Sequence, residues 1–374
     1  MRILLICHDS TLDRYHGAGL RTNNIWRELG GVADVSVLVM EPSDATVLDT
    51  TPHEGEVGRI RFDKPAVPWT TPGTLKIRRL VAQVAVPGRF DLIVVRYFRL
   101  AMLVRGSVAV PMVVDGDDLD KRASMIGKPF WCRSFDALKT EARRTVTRRA
   151  LKGFAHVRYV NPLDMIKFPA RSGSVLPNVT DAPLTLSPRS RHQPACVLMV
   201  GKFGYEPNAE AAEFFMREVL PGLRVAVPGL RFRLVGQCPP DMAARWRAVD
   251  GVEVAGYVDD LAAEYAHASV TVAPVFSGGG TQIKVLEALA YECGTVVSAF
   301  SAAGFAPNLL AGEHLLVARD AAEWVTHCLA LIASPAQAER LDRAGRAIVL
   351  QKYSFDGMAS EVKASLSRFR EMRQ

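Results

Sequence analysis

No stretch of about 18 uncharged apolar residues occurs in the chain, which excludes an ordinary membrane-spanning helix. Tandem repeats and low-complexity tracts are also missing, so solenoid and fibrous architectures are excluded. The six cysteines, at positions 7, 132, 196, 238, 293 and 328, form no Cys-x-x-Cys pair. They supply neither a zinc knuckle nor a disulfide framework, and they fit reduced thiols in a cytosol. No nucleic-acid-binding motif or aromatic–basic platform accompanies the basic residues, which argues against a nucleic-acid partner. The first ten residues, MRILLICHDS, do not read as a signal peptide. Their short apolar run ends at His8 and Asp9 and reads as a first β-strand.

What is present is a chain of 374 residues, 49% apolar and 23% charged, long enough for two ordinary domains with full cores. Charge is uneven, with a net +9 over residues 1–175 and −2 over residues 176–374. The basic half favours an anionic partner. Lys76, Arg78 and Arg79 flank Leu75, Leu80, Val81 and Val84, and Arg144, Arg148 and Lys152 recur every fourth residue on one face of an expected helix. Such faces are either solvated helix surfaces or contacts for anionic lipid head groups, and both readings stay open.

Strand and helix alternate twice over. Ile3–Cys7, Val35–Met40, Asp91–Val95, Met112–Val114 and His156–Val160 read as buried strands of a parallel sheet. A helix carrying Leu20, Ile25, Trp26 and Leu29 closes at Gly30-Gly31, and residues 134–152 read as a long helix. Between Pro162 and Pro194 the chain becomes rich in proline, serine, arginine and glycine, which marks an interdomain connection. Alternation resumes with strands at Cys196–Val200, Phe232–Val235, Val252–Ala255, Val270–Ala273 and Thr295–Ser298. Helices are expected at 208–219, 260–267, 282–291 and 321–332. The fold class expected is α/β, two Rossmann-like doubly wound domains facing a central cleft. The domains are 1–175, a linker at 176–195, 196–353, and a C-terminal helix within 354–374 that crosses back to the first domain.

The segment with the most chemistry runs from Pro274 through Gly278-Gly279-Gly280-Thr281 to Lys284 and Glu287. It follows a strand and opens a helix. Three glycines let backbone approach a ligand, and the helix end offers unpaired N–H groups to an anion. Thr281 can cap the helix and donate to a phosphate oxygen. Lys284 and Glu287, three apart, share a face near the first turn. The lysine can neutralise a diphosphate and the carboxylate can accept from two ribose hydroxyls. The alternative is a tight βα turn followed by an ordinary surface pair.

These residues resemble the group 1 glycosyltransferases of GT-B fold, often called family 4, in the subset carrying Gly-Gly-Gly-Thr-x-x-Lys-x-x-Glu-Ala, here Gly278 to Ala288. The likeness covers most of residues 196–356. It includes Val200-Gly201-Lys202 with Pro207-Asn208, Leu234-Val235-Gly236, Gly256-Tyr257-Val258, Gly294–Ser298 and Tyr353-Ser354-Phe355. It is looser before that, through Gly17-Ala18-Gly19, Glu141 and Val175-Leu-Pro-Asn178. The resemblance implies that Glu287 holds the donor ribose, that Lys202 faces the diphosphate with Gly201 and Gly236 beside it, and that Tyr257 and Val258 flank the base. It also implies a Gly17–Gly19 loop facing the cleft from the first domain. Two departures are visible. Gly279 stands where the first glutamate of the family's Glu-x7-Glu pair belongs, and Asn208 lies where many members carry a second lysine.

In the first domain, Met112–Val114 leads into Asp115-Gly116-Asp117-Asp118 and Asp120. Carboxylates at a strand end face the cleft and can raise one another's pKa, so Asp117 and Asp118 are candidate catalytic residues, with an Asp-rich turn as the alternative. His8 and His16 are weaker candidates, and Phe130, Trp131 and Phe135 line either an acceptor groove or the core. No metal site or cofactor is expected, because the glycine turn and lysines can stabilise a leaving diphosphate. The resemblance implies a retaining, metal-independent transferase acting in the cytoplasm. It would take a nucleotide-sugar donor and a glycan or lipid-linked acceptor at the inner membrane face, in surface polysaccharide or glycolipid synthesis. A nucleotide-sugar epimerase and a non-catalytic nucleotide-binding subunit remain the alternatives.

Overall fold

A computed structural model of the protein describes residues 1–8, 17–42, 55–62, 72–117, 119, 130–180, 185–186 and 194–371. These fall into two compact units, one running to Pro177 and resuming at Met358, the other spanning Asn178–Gly357. The first unit holds strands Arg2–His8 (β1), Asp34–Pro42 (β2), Glu56–Phe62 (β3), Leu92–Arg96 (β4), Met112–Gly116 (β5), His156–Tyr159 (β6) and Gly173–Val175 (β7). They form one sheet in the order β3-β2-β1-β4-β5-β6-β7, every neighbour parallel. The second holds Cys196–Val200 (β8), Arg231–Val235 (β9), Val252–Gly256 (β10), Val270–Ala273 (β11), Thr295–Ser298 (β12) and Leu316–Ala318 (β13). Its order is β10-β9-β8-β11-β12-β13, again parallel throughout.

The central strands are apolar on both faces because helices cover both. Ile3 to Cys7, Leu92 to Val95 and Val296-Val297 are wholly buried. In each sheet the order reverses once, between β1 and β4 and between β8 and β11. In doubly wound folds the ligand crevice opens at that reversal, beyond the carboxyl ends of the two strands.

Three strands found here, β3, β7 and β13, are not among those expected from the sequence, and all three are sheet edges. Edge strands need less apolar surface and tolerate charge. In β3, Arg59 pairs with Glu56, and Arg61 reaches Glu41 of β2 at 3.0 Å. The proline-rich stretch is also corrected in part. Residues 162–175 are not a connection but the helix Pro162–Lys167 followed by β7. Asn161 caps that helix by accepting from the Asp164 amide, with Pro162 in its first turn.

Gly17–Gly19 are the first turn of the helix Gly17–Gly30, not a loop. The helix expected at 208–219 begins at Glu206, passes through a π-helical turn at Phe215–Val219 and continues from Leu220 to Ala226. The last helix, Phe355–Glu371, packs on β6. The Arg158 guanidinium donates to Ser365 Oγ at 2.9 Å, and Phe369 meets His156 edge-on. Among the described residues, no helix is long and apolar enough to cross a membrane.

Candidate functional site

In the second unit the strands flanking the reversal, β8 and β11, end in the two segments singled out from the sequence. After β8 come Gly201 and Lys202. After β11 the chain turns through Pro274–Thr281 into the helix Ile283–Ala290. Three glycines are required here by contact or by backbone angle. Gly278 and Gly280 have φ of 107° and 70°, values that L-residues rarely adopt. A Cβ on Gly236 would overlap the Gly201 carbonyl oxygen. Gly279 is exposed and has no left-handed φ.

The turn is braced from behind. Ser298 and Ser301, at the end of β12, bond the carbonyls of Val275 and Ala273. Asn178 donates through Nδ2 to both the carbonyl and the hydroxyl of Thr281, at 3.0 and 2.9 Å. The expected Thr281 cap is therefore corrected. The N-cap residue is Gln282, and no side chain caps the helix. Its first N–H groups are left for other acceptors.

Lys284 crosses from that helix toward β8. Its ammonium donates to Asn208 Oδ1 at 2.6 Å, and Asn208 Nδ2 donates to the Lys202 carbonyl at 3.0 Å. A Cβ on Gly201 would stand 3.0 Å from Asn208 Nδ2 and 3.1 Å from the Lys284 ammonium. Gly201, Asn208 and Lys284 thus meet at one point, and Asn208 orients the lysine. Lys202 itself is exposed. Tyr205 brings its hydroxyl within 2.9 Å of where a Gly278 Cβ would be. Tyr257 is 53% exposed, while Val258 is partly buried against the apolar cluster that includes Tyr265 and Ala288.

Lys284 and Glu287 make no ion pair with each other, so the surface-pair alternative does not apply. Both keep some surface open but are densely surrounded by protein. Burial pushes the Lys284 ammonium down to about 8, against the pull of Glu287. Burial likewise pushes the Glu287 carboxyl up to about 7, opposed by Lys284. The buried Tyr265 hydroxyl lies in the field of Glu287, and burial raises its pKa well above the ordinary value. An anion placed beside Lys284 would restore its charge.

The first unit handles charge differently. Arg96, Asp115 and Arg158 are register neighbours across β4, β5 and β6, all fully buried. Asp115 accepts from Arg21 Nε at 3.0 Å and Nη2 at 2.6 Å, and from Arg96. Arg21 also donates to the Leu176 carbonyl, and Arg96 reaches Asp117 at 3.3 Å. Asp115 and Asp117 therefore do not face one another as the sequence suggested, since each faces a guanidinium. Asp118, Asp120 and His16 lie outside the described residues, as do the side chains of Phe130, Trp131 and Phe135. His8 ends β1 with Nδ1 3.2 Å from the Met40 carbonyl, so that nitrogen carries the proton. Tyr97 follows β4 at φ 72° with its ring near His8 and under the Arg96 guanidinium.

Of the basic stretches, Arg144 and Arg148 pair with Glu141, Arg148 also donates to the Lys167 carbonyl, and Arg78 bonds the Leu103 carbonyl. Among the described residues no group of three or more His, Cys, Asp or Glu is placed to hold a metal ion. Asn178 and Ser298 lie in segments that carry the family resemblance, but their bracing roles, and Tyr205 and Ser301 altogether, were not identified from sequence. Asn178 and Thr281 are 103 positions apart, and nothing local signals the bond.

A sequence model of the family "Glycosyl transferases group 1" matches residues 194–334. No curated protein matches the chain significantly in sequence. Among solved structures, sucrose-phosphate synthase from Thermosynechococcus elongatus superposes with a TM-score of 0.74 at 17% identity, covering 100% of both chains. HepE from Anabaena, in complex with UDP-glucose, gives 0.71 at 14%, covering 98% of this chain and 100% of that one. The lipopolysaccharide outer core galactosyltransferase WaaB gives 0.65 at 12%, with 100% of both covered. Residues 194–334 thus resemble the glycosyl transferases group 1 family, and the chain has the GT-B fold of these structures.

Proposed function

We propose that the protein transfers a sugar from a nucleoside diphosphate sugar to an acceptor hydroxyl, with retention and without a metal ion. One observation carries the reading: the Lys284 ammonium, Gly201 and an uncapped helix end meet beside the reversal of the second sheet. That arrangement suits a diphosphate. Its oxygens accept from the turn Gly278–Thr281, Lys284 and Lys202. Glu287 accepts from the ribose, and Tyr257 and Val258 flank the base.

In the reaction the bond from the anomeric carbon to the diphosphate oxygen breaks. A bond to the acceptor oxygen forms on the same face, and the acceptor proton passes to the departing diphosphate. The fixed cations and N–H groups stabilise the charge that develops on that leaving group. The acceptor is a glycan or lipid-linked hydroxyl, handled on the cytoplasmic side of a membrane. The exposed cations Lys76, Arg79, Arg143, Arg149 and Lys152 suit anionic head groups. Equal, negligible co-sedimentation with neutral and anionic vesicles would remove the membrane from this reading.

The deciding experiment is a thermal-shift screen against UDP, GDP, ADP and dTDP and their sugars, with Lys284→Ala and Glu287→Ala alongside. UDP and UDP-glucose come first, because the similar HepE fold holds UDP-glucose. Stabilisation by one nucleotide, lost in both variants, is expected. No shift at millimolar ligand would overturn the reading. Release of the sugar onto an acceptor extract separates a transferase from a binding module.

A further inference from the structure

The glycine turn has a weakness of its own making. Gly278 and Gly280 give it the backbone freedom it needs, and the helix after it has no side-chain cap, so nothing local fixes Thr281. The restraint comes from far away in sequence. Asn178 begins the long segment 178–357 of the second unit, and it is buried. It donates to the Thr281 carbonyl at 3.0 Å and to the Thr281 hydroxyl at 2.9 Å. On the other side, Gly304 would bring a Cβ within 3.2 Å of the Thr281 methyl. Thr281 is held between the two.

The chemistry of that contact is directional. A threonine hydroxyl has one hydrogen and two lone pairs. Because Asn178 donates to the oxygen, the Thr281 hydrogen is left to donate elsewhere, and an anion at the turn is the natural acceptor. Asn178 is anchored in turn by its surroundings in the chain. Two residues earlier, the Leu176 carbonyl accepts from Arg21, itself locked on Asp115. Two residues later, the Thr180 amide donates to the Tyr353 carbonyl.

We propose that Asn178 is a positioning residue for the donor: it never touches the nucleotide, but it fixes Thr281 as a hydrogen-bond donor and holds the phosphate-binding turn in shape, from the point where the chain enters the second unit. This rests on the diphosphate reading of the turn. It makes a distinction that a merely structural role does not. Losing Asn178 weakens ligands that carry a diphosphate and spares the nucleoside.

The test uses the full chain and its Asn178→Ala and Thr281→Val variants, titrated calorimetrically with UDP, inorganic pyrophosphate and uridine. Asn178→Ala is expected to weaken UDP and pyrophosphate by about tenfold, the effect of two modest hydrogen bonds, and to leave uridine unchanged. Thr281→Val is expected to weaken UDP in the wild-type background and to add less once Asn178 is gone, because both act through one contact. Amide exchange without ligand is expected to quicken over residues 278–283 in Asn178→Ala and to stay unchanged in β8 and β9.

Pyrophosphate affinity within twofold of wild type in a folded Asn178→Ala chain would overturn the proposal. So would an equal loss for uridine and UDP. If Asn178→Ala does not fold, Thr281→Val carries the test, and unchanged UDP affinity there overturns it. Wild-type protein that binds neither UDP nor pyrophosphate would instead overturn the diphosphate reading, and this inference with it. Exchange over 278–283 would still report whether the brace exists.

Discussion

The two sheets share a parallel, doubly wound plan, yet their reversal points are furnished in opposite ways. Where β4 ends, next to the reversal between β1 and β4, buried charges answer one another: Asp115 sits between Arg21 and Arg96, and Arg96 extends to Asp117. Beside β8 and β11, the walls are glycine backbone and an uncapped helix end, and Lys284, which reaches in, is held by a neutral amide. A carboxylate gripped by guanidinium groups has little capacity left for a ligand. A lysine held by Asn208 keeps its charge available. The comparison separates charge consumed within the fold from charge that, on the proposed function, is offered to a substrate, although both kinds occur at the carboxyl ends of strands.

The largest effect should come from breaking the first arrangement. Asp115→Ala leaves Arg21 and Arg96 buried without their shared carboxylate, and removing one partner of a buried ion pair costs about 3–5 kcal/mol. Urea unfolding is expected to show a loss of that size, or the variant to be recovered only as misfolded protein. A loss under about 1 kcal/mol would mean that the network is not the structural element described here. Next in size is Gly236→Ala, whose Cβ overlaps the Gly201 carbonyl at a left-handed φ of 126°. A cost of about 1–3 kcal/mol is expected, with weaker nucleotide binding because Gly201 must shift.

Breaking the second arrangement should do the reverse, costing binding rather than stability. Lys284→Ala removes a half-buried cation whose charge its surroundings already disfavour, so its unfolding free energy should hold or rise. Its nucleotide affinity should fall by roughly 10- to 100-fold, the range of charge-assisted hydrogen bonds. Calorimetry and urea unfolding on one preparation read both.

The pH dependence sharpens the point. Glu287 has a folded pKa of about 7, above its ordinary 4.5. Its contribution to stability is fully present below 4.5 and is lost as pH rises through about 7. Lys284 is lowered from 10.5 to about 8, so its contribution is present above 10.5 and is lost as pH falls through about 8. Both groups are therefore least favourable to the empty fold between about 7 and 8, where both are charged and best suited to a ligand. Nucleotide binding should rise through about pH 7 and fall above about 8. The acid limb should be flattened in Glu287→Gln and the alkaline limb displaced upward in Lys284→Arg.

How much of this was legible in sequence follows from the same physics. Buried central strands announce themselves as unbroken apolar runs, so β8, β11 and β12 were readable to the residue. The edges β3, β7 and β13 were not, because an edge can carry Glu56, Arg59 and Arg61 or shrink to three residues. In the site, the strand–glycine–helix order with Lys284 and Glu287 was legible because those groups are local. The bracing by Asn178, Ser298 and Ser301 was not, because each bond joins segments that only the fold brings together. The Asp115 cluster misled for the same reason. Its carboxylates are visible in one short stretch, while Arg21, which answers them, lies 94 residues earlier.

The smallest effect tests whether the glycines of the turn are alike. They look equivalent in sequence, but the backbone separates them. Gly278 is held at φ 107° against Tyr205 and Gly280 at 70°, so alanine at either strains the turn. Gly279 has no left-handed φ and is exposed, so Gly279→Ala should change stability by no more than about 0.5 kcal/mol. Its meaning lies in binding. If nucleotide affinity is also unchanged, the backbone at 279 only shapes the turn, and Lys284 with the N–H groups behind it carries the anion. A loss of affinity without a loss of stability would mean that a ligand group comes so close to residue 279 that a methyl displaces it. The open wall of the second sheet would then extend further than Gly201 and Lys284 define it.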